Sequence, residues 1–148
     1  MTDKITPMRF FAPFAVTTIA YEEVAFKLPL IRFMDILNEN LRLDNYGVIE
    51  GLGVIFIIKP PENKIHEEGV VYSRTYKDIR ILKRLPWDFV LNHDEEAVLH
   101  LMARTYLEIL DELPKQRKIK DFDLPALRRD VEQLFNAQGW LVGQEEVG

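Results

Sequence analysis

The side chains able to do covalent or metal chemistry are few and scattered. Ser73 is the only serine, and it lies between Tyr72 and Arg74 in a strand-like run, away from any Gly-x-Ser-x-Gly elbow that would present a nucleophile. There is no cysteine, which removes thiolate catalysis, disulfides and thiolate metal sites. The three histidines, His66, His93 and His100, do not stand at ligand spacings. On a helix, His93 and His100 would lie about 10 Å apart along the axis, too far to share an ion. Glu96 and His100 are four apart and could form half a metal site, but nothing nearby completes it, so a surface pair is expected. Asp121-Phe122-Asp123 has the form of the acidic pair that holds a metal-bound nucleotide sugar in some transferases; capping of a helix by Asp123 accounts for it more simply. Gly51-Leu52-Gly53 leads into a strand rather than a helix, so no helix dipole points at a phosphate there. The expectation is a protein with no catalytic residue, no metal site and no cofactor, which works by binding.

The chain that must position its binding residues has 148 of them, 47% hydrophobic and 29% charged, with a net charge of −5. That length and composition suit one folded domain over residues 1–148 with a sizeable core. Lys4 and Arg9 precede the apolar run Phe10–Ala20 and loosely mimic a secretion signal, but Pro13, Thr17 and Thr18 interrupt it, and a buried first strand is the better reading. No uncharged stretch reaches the ~20 apolar residues of a membrane span. With no cysteine, a cytoplasmic location is expected.

Arg9–Tyr21 is aromatic and β-branched and predicts a strand that Pro13 bulges or places at an edge. Glu22–Lys27 is open between a strand end and a helical turn. Leu30, Phe33, Met34, Leu37 and Leu41 recur at helical spacing behind Pro29, predicting a helix over 29–41. The unbroken run Leu52–Ile58, closed by Pro60 and Pro61, predicts a central strand buried on both faces. The parity of apolar residues changes between Tyr76 and Ile79, which predicts two strands, 70–74 and 79–84, joined by a turn near 75–78. A helix capped by Asn92 or Asp94 buries Val98, Leu101, Met102, Thr105, Ile109 and Leu113 and stops at Pro114. A last helix opens at Asp123, buries Leu127, Val131, Leu134 and Phe135, and ends with Gly139 left-handed so that Trp140 folds back on Phe135. The expected fold is α+β, with a mainly antiparallel sheet of about four strands and three helices in the order β-α-β-β-β-α-α.

If the strands at 54–58, 70–74 and 79–84 alternate in direction, the loops after the first and third leave the same end. Glu62, Glu67, Glu68, Asp88, Asp94, Glu95 and Glu96 would then gather around Trp87, with Arg74, Lys77 and Arg80 at the opposite end. An aromatic ringed by carboxylates suits docking of a basic partner. The competing binding mode is a nucleic-acid or regulatory module using Lys115, Arg117, Lys118 and Lys120. That loop lacks the aromatics that stack on bases, so no specific nucleic acid is expected.

Met8-Arg9-Phe10-Phe11-Ala12-Pro13-Phe14, Tyr72-Ser73-Arg74 with Lys77-Asp78-Ile79-Arg80, and Lys120-Asp121-Phe122-Asp123 together resemble immunity proteins of bacterial polymorphic-toxin and contact-dependent inhibition systems. The resemblance covers roughly Phe10 to Trp140. It implies a non-catalytic cytoplasmic inhibitor, monomeric or homodimeric, that binds one cognate toxin domain. It carries no functional residues over, because such families share no catalytic motif.

Overall fold

The run Leu52–Ile58 sits where its composition requires, in the middle of a sheet. In the computed structural model, which describes residues 3–5, 13–60, 62, 67–73, 77–116 and 119–141, the sheet has the order β1-β2-β3-β5-β4. The strands are β1 (Asp3–Ile5), β2 (Phe14–Tyr21), β3 (Gly51–Ile58), β4 (Gly69–Ser73) and β5 (Asp78–Arg84). The helices are α1 (Glu22–Ala25), α2 (Leu30–Asn40), α3 (Trp87–Asn92), α4 (Glu95–Gln116) and α5 (Leu124–Ala137), with a single 3-10 turn at Leu43–Asn45.

The sheet is mixed rather than mainly antiparallel. β3 is parallel to both β2 and β5, while β1 and β4 run antiparallel at the edges. β4 and β5 do form an antiparallel pair, Ser73 opposite Asp78, as the change of parity predicts. The difference is which of the two lies beside β3. β5 aligns Ile79 with Leu52 and Ile81 with Val54, and both isoleucines are buried; β4 offers only half-buried Val70 and Tyr72 on that face. Burying Ile79 and Ile81 beside Leu52 and Val54 removes two large aliphatic side chains from water, which favours the central position for the hairpin's second strand. β2 is also interior. Pro13 precedes its first residue, so the missing N–H falls outside the ladder, and the Pro13 carbonyl accepts from Leu52 N–H at 2.8 Å. Arg9–Ala12 and Arg74–Tyr76, parts of the predicted strand and turn, lie outside the described residues.

Among the described residues there are five helices rather than three. The ambiguous 22–27 segment forms the short α1, and α3 adds a turn and a half behind Pro86. Nor does Pro114 stop α4, which continues to Gln116. So near the C-terminus, Pro114 costs one backbone bond and disrupts little of the helix beyond it. Asp123 caps α5 as expected, its carboxylate accepting from Ala126 N–H at 3.1 Å. Gly139 has φ +75 and Trp140 N–H reaches the Phe135 carbonyl at 3.0 Å, the fold-back that a left-handed residue permits.

One face of the sheet, carrying Phe14, Val16, Leu52, Val54, Phe56, Ile79 and Ile81, shares a single apolar cluster with the buried faces of α2, α4 and α5. At its centre four aromatic rings join three helices and the chain beyond α5. Phe33 stacks on Trp140 (5.5 Å, 10°) and meets Phe135 at 5.3 Å, and Tyr106 packs edgewise on Phe33 and Phe135. No helix among the described residues is long and apolar enough to cross a membrane.

Candidate functional site

Because β2, β3 and β5 are parallel and in register, Tyr21, Ile58 and Arg84 all end at one edge of the sheet. Three connections leave from that edge: α1 after β2, the 59–68 segment after β3, and α3 after β5. Alternating strands also imply a shared starting point for the connections after β3 and β5; here it comes from a hydrogen-bonded parallel pair. Residues just beyond the carboxyl ends of parallel strands are free of ladder duty, which is why open sheets tend to bind partners there.

The carboxylates at this edge differ in what they do. Glu68 closes the sheet end, accepting from Arg84 N–H at 2.9 Å and facing Lys83 Nζ at 3.5 Å. Asp94 caps α4 through Ala97 N–H at 2.9 Å. Glu96 pairs with Arg32 of α2 at 2.6 Å, with both side chains largely in solvent. Glu62, Glu67, Asp88 and Glu95 are exposed. Trp87 is half-buried, its ring edge-on to Tyr21 at 5.4 Å and 82°, so it is partly a packing residue. The loop carboxylates alone suggest an acidic end, but folding adds cations to it: Lys27, whose ammonium donates to the Leu91 carbonyl, together with Arg32, Lys83 and Arg84. Sequence spacing does not signal these, since Arg32 and Glu96 lie 64 residues apart.

The remaining candidates are occupied structurally. His93 stacks on Phe89 at 3.8 Å, with Nδ1 2.9 Å from that residue's carbonyl oxygen. Glu96, turned to Arg32, is not held by His100. Asp121 takes a left-handed φ of +57 beside Phe122, which bridges to Gly47. Of the basic loop, Lys115 faces Glu112 at 3.4 Å and Lys120 is exposed, while Arg117 and Lys118 lie outside the described residues. At the opposite end of the sheet Arg80 pairs with Asp78 at 3.0 Å and Lys77 is exposed; Arg74 is not among the described residues. Among the described residues, no group of three or more histidine or carboxylate side chains is placed to hold a metal ion. What the strand-end edge offers is a surface of mixed charge with aromatic support, suited to recognition.

Neither a search of curated proteins nor one of solved structures finds a match. A family model does match, that of Immunity protein 44 (Imm44), and it spans residues 12–137, from just before β2 to the end of α5. With that span covered, the chain belongs to the Immunity protein 44 family.

Proposed function

We propose that this protein neutralises a single cognate toxin domain by binding over it, and that the face it uses is the strand-end edge around Trp87, with Glu62, Glu67, Glu68, Asp88, Asp94, Glu95 and Glu96. The observation that carries this reading is the shared end of β3 and β5, from which the 59–68 connection and α3 both depart. Family membership supports a toxin partner in general. A standard interface of about 1,600 Å² is enough to cover a toxin's active site, so inhibition by occlusion requires no chemistry from the inhibitor. The exposed carboxylates favour a basic toxin, and a nuclease fits well, because the inhibitor's acids then occupy the place of substrate phosphates. In this reading the protein acts in the bacterial cytoplasm, within a polymorphic-toxin or contact-dependent inhibition system, without catalysis or cofactor.

The test is to neutralise the exposed acids and leave the structural ones in place. Glu62→Gln, Glu67→Gln and Glu95→Gln together should slow association with the toxin domain encoded beside this gene by about tenfold at low salt and flatten the salt dependence of that rate, with little change in dissociation. An unchanged association rate, with the fold intact, would place the toxin elsewhere on the protein.

A further inference from the structure

Two of the large apolar side chains that the described surface exposes, Phe26 (80%) and Ile31 (62%), flank the turn between α1 and α2. The turn is well determined. Lys27 and Leu28 donate back to the carbonyls of Val24 and Ala25, Leu30 donates to that of Leu28, and Val24, Pro29 and Leu30 are buried beneath it. It is also tied to the strand-end edge at two points. The Lys27 ammonium donates to the carbonyl of Leu91 in α3, and Arg32 pairs with Glu96 in the first turn of α4. Each exposed apolar residue is thus the immediate neighbour of a residue anchored to the elements that carry Asp88, Asp94 and Glu95.

A single exposed apolar side chain is ordinary, but two on one pinned turn beside a carboxylate rim have the make-up of an interface centre. Trp87 is less suited to that role, since part of its ring is already covered by Tyr21. We propose that Phe26 and Ile31 are the apolar anchor with which this edge seats a basic protein domain, the cognate toxin, while Trp87 supports the platform beside them. The proposal rests on the toxin-binding reading above and adds residues to it. The charge of the surroundings selects the occupant. Asp88 and Glu95 are exposed on the elements to which the turn is tied, whereas the cations Lys27 and Arg32 are engaged with the Leu91 carbonyl and Glu96. A second copy of this chain would bring like charges together, whereas a domain with lysines and arginines around an apolar pocket would complement them.

The experiment uses the full chain with Phe26→Ser and Ile31→Ser, singly and together, against the toxin domain encoded beside the gene. Dissociation and association rates are measured, with thermal unfolding of each variant alongside. Phe26→Ser should weaken binding by about thirty-fold or more, mainly through faster dissociation. Its melting temperature should stay within about 2 °C of the parent, because little of the ring is buried. Affinity within about threefold of the parent in the double variant would overturn the anchor. If the glutamate triple variant still slows association in that case, the face stands and only the anchor falls; if neither set matters, the face is wrong as well. A parent protein that fails to bind the domain removes the toxin reading and the anchor with it. A homodimer of the parent that Phe26→Ser and Ile31→Ser dissolve would assign the patch to self-association and equally overturn the proposal.

Discussion

Replacing Gly47 by alanine tests whether the contact between the 46–48 segment and the start of α5 is as close as the structure has it. A Cβ on Gly47 would lie 2.1 Å from the carbonyl oxygen of Asp121 and 2.7 Å from the Cα of Phe122. Both are backbone atoms, so no side chain can swing aside, and the φ of +151 is one that residues with a Cβ rarely adopt. The two segments would have to part. That strains or breaks the Gly47–Phe122 bridge, the 2.6 Å bond from Asp123 N–H to the Tyr46 carbonyl, and the 2.6 Å bond from the Tyr46 hydroxyl to Asp130. Overpacking typically costs about 1–3 kcal/mol, a forced backbone conformation another 1–3, and each lost hydrogen bond about 1. These overlap, since parting the segments relieves the clash by giving up the bonds, so the expected loss is about 3 kcal/mol. For a chain of this size that lowers the melting temperature by about 6–12 °C. Urea and thermal unfolding of the purified protein measure it, with Gly69→Ala as the control, because a Cβ there meets nothing within 4 Å. A Gly47→Ala protein melting within about 2 °C of the parent would refute the close approach and the clamp built on it.

Two further outcomes follow from buried and half-buried phenols. The Tyr106 hydroxyl is fully buried among aromatic rings and has no hydrogen-bond partner among the described residues, so Tyr106→Phe should raise stability by about 1 kcal/mol in urea unfolding; a loss of that size would mean the hydroxyl is satisfied after all. Burial first, then the hydrogen bond to and charge of Asp130, push Tyr46 up from the ordinary 10.0 to about 12, so the folded state resists ionisation longer than the unfolded one. Stability from this source is intact below pH 10 and is lost as pH rises from 10 through 12. Tyr46→Phe should decline less steeply over that range than the parent, and parallel declines would show that Tyr46 does not contribute.

Much of the local structure is legible in the residues themselves. The stripe Leu30, Phe33, Met34 and Leu37 needs only helical periodicity, the Asp123 cap needs only the four residues that follow it, and Gly139 announces the fold-back of Trp140. The double-sided burial of β3 is written in an unbroken apolar run. Such signals depend on neighbours within a turn or two of chain, so they survive whatever the rest of the protein does. The extent of α4 burial was only partly visible: Leu99, Ala103, Tyr106 and Leu110 are buried beyond the predicted stripe, because α4 packs against more than one neighbour.

By itself, then, the sequence determined the helices with clear periodicity, the central strand, the cap and turn that frame α5, and the resemblance to immunity proteins that the family match bears out. Only the tertiary structure decided that β5 rather than β4 lies beside β3, since that choice depends on which strand's apolar face gains more burial against Leu52 and Val54. The same holds at the strand-end edge. Glu68 and Glu96 look alike as letters, but Arg84 and Arg32 take them up, and only folding brings those groups within reach. Phe26 stays exposed for a matching reason: the turn that carries it is held from below by Val24 and Leu30 and from the side by Lys27, which leaves most of its ring in solvent.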